Sequence, residues 1–254
     1  MCPMVPHYKH IAPLRLDLIN QMSFVAEKYL RYLPRTIPDF PSHGPDHSIN
    51  IIEIIDKFVD NWDANLSDDE IFLLYVSAWF HDIGCLINRD NHQNHSVTIL
   101  NRNSIVQDLL GKEMYTCLKS IVKYHSSDED LKEVPLKWGR IDLQKVCAIF
   151  RMLDACEITE IKCPKGVYDI MITGEHPMSA RADQFWRAHM NIESIQFECP
   201  KIKIYVEDCN ISALVIERLE LEIENDVADI LSVNNVTSPT VEVTSIDMNY
   251  FVES

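Results

Sequence analysis

The spacing of apolar residues predicts two amphipathic helices near the start of the chain. Apolar side chains recur every three or four positions over residues 14–33 and again over 45–61, which is the period of one helix face. Pro34 ends the first stretch, and Pro45 suits the first turn of the second. The segment between them, residues 34–45, contains four prolines and one glycine and predicts an ordered loop without regular structure.

A third helix is predicted by a capping box that precedes a strongly apolar run. Ser67 and Glu70 have the spacing in which each side chain caps the backbone N–H of the other. The ten residues 71–80 that follow are almost all apolar, and Gly84 suits the C-cap of the helix that they form. Further helices are predicted over residues 92–103, 112–125 and 141–157, with a charged loop over 126–140.

Beyond residue 158 the pattern changes from helical to mixed. Alternating apolar and polar positions predict strands over 195–197, 201–206 and 240–246, whereas residues 212–232 keep a helical period. We therefore expect a mainly α protein. A helical core would occupy residues 1–160, and a small C-terminal α+β extension, residues 161–254, would pack on it and shape access to its site.

Three features of the sequence predict a cytoplasmic protein. No segment approaches 18 uninterrupted apolar residues, so no membrane span is expected. The first residues lack the basic start and the continuous apolar stretch of a secretory signal. The eight cysteines contain no CxxC pair and no closely spaced framework, which favours reduced thiols.

Composition excludes several classes of function. The six glycines form neither GxGxxG nor GxxxxGK[ST], which removes the dinucleotide-binding and P-loop folds. There are 23 Lys and Arg against 39 Asp and Glu, and the net charge of −16 would repel the phosphate backbone of a long nucleic acid. We expect no double-stranded nucleic acid partner, and the acidic balance favours a small substrate.

Histidines are concentrated in one part of the chain. Six of the ten lie within 83 consecutive residues, on successive predicted helices or at their ends: His43, His47, His81, His92, His95 and His125. Imidazole combined with carboxylate favours Mn, Fe, Co, Ni or Zn over Ca, and a helical bundle can direct such groups inward. The adjacent His81 and Asp82 can converge on one ion because they lie at a helix end.

These residues resemble the signature of the HD superfamily of metal-dependent phosphohydrolases. That signature is a His, then a His-Asp pair after a core helix, then a distant Asp. The matching positions are His47 in DHSINIIEII, His81 and Asp82 in AWFHDIG, and Asp154 in FRMLDACE. Families with a second metal ion add two histidines, and His95 and His125 are similar to those.

The resemblance covers about residues 43–157 and implies both a cofactor and an activity. It implies one or two divalent ions among Mn, Fe, Co, Ni, Mg and Zn, and hydrolysis of a phosphoester or phosphoanhydride of a nucleotide or similar molecule by a metal-activated water. HGPDHS and FWRAHMNIESI are similar to HD modules joined to Hsp90-like ATPases. The GYP element of diguanylate phosphodiesterases is absent, which disfavours cyclic dinucleotides.

Other residues are candidates for roles beside the metal ligands. Asp82, His92 and Arg151 are the predicted catalytic residues. Arg151 lies three residues before Asp154 and is the nearest candidate for a phosphate contact, and Lys123 and His189 are further candidates for substrate binding. His92, three residues before His95, could replace it as a ligand or shuttle a proton, and His43 is open to the same roles.

Two other functions remain open from the sequence. A sensor module could capture a nucleotide at the metal site with little turnover and signal to a partner. A nuclease acting on single strands is disfavoured by the net charge and by the absence of a basic stripe. A homo-oligomer is possible, although no exposed apolar stripe predicts an interface.

Overall fold

Helices form most of the part of the chain that the computed structural model describes, which is residues 6–33, 39, 41, 43–174 and 178–246. The helices are α1 (Pro13–Leu30), α2 (Pro45–Asn61), α3 (Asp68–Phe80), α4 (His92–Asn101), α5 (Ser104–Tyr124), α6 (Leu143–Ala155), α7 (Lys165–Met171), α8 (Ala180–Met190), α9 (Cys209–Glu222) and α10 (Ala228–Val233). The strands are β1 (Ile192–Glu198), β2 (Lys201–Val206) and β3 (Thr240–Ser245). The expected mainly helical fold with a small C-terminal α+β element is confirmed. Most of the loop predicted over 34–45 lies outside the described residues.

Three details differ from the sequence prediction. α5 starts at Ser104, eight residues before the helix predicted over 112–125, and Gly111 interrupts it with a φ of 73° that glycine adopts at little steric cost. The helical stretch over 212–232 is two helices, α9 and α10, joined by a wider turn at Ile223–Val227. α7 was not predicted, because its seven residues are too few to display a helical period.

α3 is the central helix. Hydrogen bonds and an ion pair connect its N-terminal end to the N-terminal end of α6. The capping box is present, with the Ser67 hydroxyl accepting from the Glu70 N–H at 3.3 Å. The Glu70 carboxylate also accepts from the Asp142 N–H at 2.8 Å and contacts Lys145 Nζ at 3.4 Å, just before and inside α6. Both helices are 13 residues long, so their C-terminal ends reach the same level. The last residues of α5 lie there too, because Arg151 of α6 contacts the Tyr124 carbonyl.

The three strands form one sheet in the order β1-β2-β3. β1 and β2 pair antiparallel, with Ile195 opposite Ile204, and β2 pairs parallel with β3. The apolar face of this sheet packs on the helical part, and Phe197 meets Phe58 of α2 edge to face at 5.7 Å between ring centroids. A single apolar core therefore includes side chains from both sides of residue 160. The division into two regions at that residue stays a prediction.

Across the described residues, every helix is too short or too polar to span a bilayer.

Candidate metal centre

Four side chains from α2, the end of α3 and the end of α6 converge in a buried cluster that we call site 1. Its ligand atoms are His47 Nε2, His81 Nε2, Asp82 Oδ2 and Asp154 Oδ1. The two histidine nitrogens are 3.0 Å apart. The Asp82 oxygen is 3.5 Å from His47 Nε2 and 3.4 Å from His81 Nε2, and the Asp154 oxygen is 3.5 and 3.6 Å from the same atoms.

These separations suit a first-row transition metal. Nitrogen and oxygen ligands lie about 2.0–2.2 Å from such an ion, so two ligands of one ion are about 3.0 Å apart at a right angle and about 3.4 Å apart at a tetrahedral angle. The five measured distances of site 1 lie between 3.0 and 3.6 Å. The ligand atoms therefore surround a space of the size that one ion needs.

A second group, site 2, shares the carboxylate of Asp82. His92 Nε2, at the start of α4, and His125 Nε2, directly after α5, are 2.9 Å apart. Asp82 Oδ1 lies 3.3 Å from the first nitrogen and 3.7 Å from the second. Cys85 Sγ is 3.9 Å from the same oxygen. Because one Asp82 oxygen faces each site, this carboxylate is placed to bridge two ions.

The hydrogen bonds of the four rings fix where their lone pairs point. Each ring donates from Nδ1 to an oxygen that can only accept: His47 to Glu157 at 3.0 Å, His81 to the Ala78 carbonyl at 3.2 Å, His92 to the Arg89 carbonyl at 2.9 Å and His125 to the Val122 carbonyl at 2.7 Å. A neutral ring that donates from Nδ1 carries its lone pair on Nε2. Within each site two such lone pairs of neutral rings would face one another at 2.9–3.0 Å, a repulsive arrangement unless a proton or a metal ion lies between them. The ligand set therefore fits metal ions.

Electrostatics favour a positive charge at site 1. Burial by itself would lower the pKa of His47, yet the charge of Glu157 and the hydrogen bonds to Asp154 and Glu157 raise it to about 10. Burial would raise the pKa values of Asp82 and Asp154, but the neighbouring histidines hold both well below their ordinary range. Both carboxylates are therefore ionised and available as ligands at neutral pH.

Glu157 contacts the His47 ring on the side opposite the ligand atom Nε2 and so supports site 1. The sequence analysis did not predict this role. It is buried, accepts from His47 and from Asn50 Nδ2 at 2.9 Å, and forms an ion pair with Lys162 at 2.6 Å. Burial would raise the pKa of Glu157, but Lys162 and His47 outweigh it and hold the pKa at about 2. Such a carboxylate fixes the orientation of a metal-binding ring. The spacing of three residues from Asp154 is the sequence signal that could have identified it.

The structure brings His92 to the centre and leaves His95 outside it. Ser96 accepts from the Gly84 N–H at 2.7 Å and donates to the His81 carbonyl at 2.6 Å, which fixes the rotation of α4. His92 and Ser96 both face α3, and His95, one position before Ser96, is rotated about 100° from Ser96 around the helix. His95 belongs to neither group of converging ligand atoms in the described part of the chain. This geometry does not match the ligand role expected for His95.

Gly84 is needed for close packing and not as a C-cap. It lies in a short 3-10 turn (Ile83–Leu86) after α3, and its φ is not positive. A Cβ atom there would lie 2.0 Å from the His92 carbonyl oxygen and 2.4 Å from the Ser96 nitrogen. Only glycine therefore lets α4 approach closely enough to bring His92 into site 2.

Arg151 and Lys123, which the sequence predicts to bind the substrate phosphate, contact other groups of the protein. Arg151 is buried, and its guanidinium donates to the carbonyls of Tyr124, Ser126 and Glu129 at 2.6–2.9 Å. These bonds hold the segment that follows α5 and carries His125. Lys123 forms an ion pair with Glu129 at 3.3 Å and does not line the cleft described below.

A cleft of about 880 Å³, including its open mouth, lies over the two sites. Side chains of both sites line it, namely His47, Asp82, His92, His125 and Asp154. Apolar side chains form part of its wall, namely Ile158, Phe185, Val215 and Leu219. Further charged and polar groups also line it, among them His43, Arg89, Arg151, Lys162, His189, Arg218 and the carboxylates of Glu157 and Glu222. α8 and α9 supply several of these residues, so the C-terminal part of the chain shapes access to the centre.

The helical fold and the buried His and Asp cluster define an HD-type domain. Residues 35–232 match the family described as HD-CE, more than three quarters of the chain, and the protein belongs to that family. The matched span contains both metal sites and reaches α9 and α10. No curated protein matches the chain. The resemblance to modules joined to Hsp90-like ATPases stays a prediction.

Proposed function

We propose that the protein is a metal-dependent phosphohydrolase that cleaves a phosphoester or phosphoanhydride of a nucleotide or a similar small molecule. The observation that carries the proposal is the Asp82 carboxylate, whose two oxygens face two separate histidine groups. Ions held by Asp82 and the two histidine groups would supply an activated water molecule and positive charge for the phosphoryl oxygens.

The side chains of the centre divide into ligands and supports. His47, His81 and Asp154 would hold one ion, His92 and His125 the other, with Asp82 between them. Mixed imidazole and carboxylate ligands suit Mn, Fe, Co, Ni or Zn better than Mg. In this arrangement the Nε2 lone pair of His92 is a ligand, so this ring is not a free proton shuttle.

Several residues act around the centre. Arg151 is a positioning residue, because its hydrogen bonds hold the segment that carries His125. His189 donates from Nδ1 to the Phe185 carbonyl at 2.7 Å, and burial lowers its pKa to about 4. A neutral ring of this tautomer offers Nε2 as an acceptor in the cleft, suited to a sugar hydroxyl of the substrate.

The acidic charge of the chain is compatible with an anionic substrate. Two divalent ions would add about four positive charges at the point where the phosphate lies. The cleft over the two sites is open to solvent, so a small molecule can reach them. We place the reaction in the cytoplasm, since the seven cysteines in the described residues are all free thiols.

The test is product release by the metal-stripped chain after reconstitution with one ion at a time. A panel of nucleotides is assayed for phosphate and nucleoside, and metal content is measured on the same samples. Asp82→Ala should lose metal at both sites and all turnover. His92→Ala should lose one ion, whereas the matched His95→Ala variant should keep both ions and full activity.

The same assay separates the other candidate functions. Stoichiometric nucleotide binding without product would indicate a sensor module, and cleavage of short single-stranded oligonucleotides alone would indicate a nuclease. Full activity of metal-depleted Asp82→Ala would refute a metal-dependent hydrolase.

A further inference from the structure

We propose that Arg89 and Arg218 form an anion subsite in the cleft, separate from the two metal sites, and that the substrate therefore carries more than one phosphate group. This inference rests on the proposed function, because it assigns the first phosphate to the metal centre. It narrows the substrate class to nucleoside di- or triphosphates and similar polyphosphorylated molecules, in preference to monophosphates.

Arg218 is the first observation. It lies on α9, lines the cleft and is exposed. Among the described residues no carboxylate lies within ion-pair distance of it, although acidic residues outnumber basic ones by 39 to 23. By contrast, the exposed Arg187 on the neighbouring α8 pairs with Asp183 at 2.9 Å. An arginine that faces a cleft without a carboxylate partner is available to an anionic ligand.

The second observation is Arg89, whose guanidinium contacts the neutral ring of His43. Its Nη1 donates to His43 Nε2 at 3.3 Å, while His43 Nδ1 donates to the Pro41 carbonyl at 2.6 Å. A ring that donates from Nδ1 and accepts at Nε2 has the hydrogen-bond pattern of uncharged imidazole. His43 therefore orients the guanidinium of Arg89 as a neutral acceptor.

Both guanidinium groups line the same cleft, so their positive charges act on a shared space. An anion bound in that space would be attracted to both side chains. Phosphate is the anion best matched to the planar donor fork of arginine, which binds it through two parallel hydrogen bonds.

The position of Arg89 and Arg218 in the cleft determines which substrates they can bind. Side chains of both metal sites line the cleft. Arg89 and Arg218 line the same cleft, beside the apolar side chains Phe185 and Leu219. A molecule with one phosphate on the metal ions can place a second on the arginines and a ring against the apolar wall. A monophosphate would use the metal centre alone.

The test measures binding and requires no turnover. The metal-loaded full chain is titrated calorimetrically with inorganic phosphate and with inorganic triphosphate. Wild type should bind triphosphate more tightly. Arg218→Ala should raise the Kd for triphosphate about tenfold, the effect of one lost charge-assisted hydrogen bond, and should change the Kd for phosphate less than about twofold. The Kd of Arg218→Lys for triphosphate should lie between those of wild type and Arg218→Ala. Arg187→Ala is the matched control and should change neither the Kd for triphosphate nor the Kd for phosphate.

Each other outcome has a defined meaning. No preference of wild type for triphosphate, or equal effects of Arg218→Ala and Arg187→Ala, would overturn the subsite. Arg218-dependent triphosphate binding by a chain that cleaves no phosphate compound would refute the proposed hydrolase and leave the anion subsite standing.

Discussion

Arg151 gives a prediction that separates a structural role from a catalytic one. The sequence favours contact with the substrate phosphate, whereas in the structure the guanidinium lies among three carbonyls and two carboxylates. Those carboxylates belong to Glu222 and Asp226, at 3.7 and 3.4 Å. Arg151→Met keeps most of the volume and the apolar stem, and removes the donors and the charge.

The expected loss of stability follows from the carbonyl and carboxylate groups that would lose their contact with Arg151. Three partly buried carbonyls would lose their donors at about 1 kcal/mol each, the low end for unsatisfied groups because water can reach them in part. Two carboxylates would also lose their cation, which brings the total to about 3–5 kcal/mol. For a chain of this size about 2–4 °C of Tm correspond to each kcal/mol, so Tm should fall by about 10 °C.

The assay is thermal unfolding of metal-free protein, followed by metal titration at a temperature where the variant is folded. Loosening of the segment after α5 should weaken metal binding at site 2 about tenfold or more, the usual effect of removing a support for a ligand. Arg187→Met is the matched control, since that exposed arginine pairs with Asp183 and lies over the Tyr168 ring at the surface, and its Tm should change little.

One result would refute this reasoning. If Arg151→Met unfolds within about 2 °C of wild type and keeps its metal ions, yet loses phosphate release, then Arg151 acts on the substrate and the carbonyl contacts contribute little.

Three further predictions concern the surroundings of the centre. Glu157→Gln removes the charge behind His47 and should weaken metal binding at site 1 about 10–100-fold by chelator competition, with the exposed Glu160→Gln as an unaffected control. Gly84→Ala places a Cβ 2.0 Å from a backbone oxygen and should lower the free energy of unfolding by about 3 kcal/mol or more, whereas Gly166→Ala, with nothing within 4 Å, should have no such effect. Removal of metal by a chelator should lower Tm, since an ion at 100 times its Kd contributes about 2.7 kcal/mol; an unchanged Tm would count against tight binding.

The convergence of the four residues of site 1 was predictable because each lies at or near a helix end that the sequence marks. A strongly apolar run, with a capping box at its start, places His81 and Asp82 directly after α3. His47 follows Pro45 by two residues, and Asp154 lies at the end of an apolar helical period. Local signals were sufficient for this part of the site.

The choice between His92 and His95 required tertiary information. Both lie near the start of one helix, and only the contact of Ser96 with the end of α3 determines which ring turns inward. Arg151 is a similar case, because the carbonyls that surround it come from a loop more than 20 residues away. Arg218 reaches the cleft only through the packing of α9, which no spacing near the metal ligands indicates.

The meeting of three helix ends has a further consequence for the order of binding. α3, α5 and α6 point their C-terminal ends at the centre, whereas α2 and α4 begin there, so the C-terminal ends outnumber the N-terminal ends by three to two. A helix C-terminus carries a partial negative charge of about half an electron, so the aligned backbones add to the field of Asp82 and Asp154. The empty centre is therefore a place that attracts cations and repels phosphate. We expect the ions to bind first and the substrate only afterwards, so that metal supply determines whether the cleft can accept its ligand.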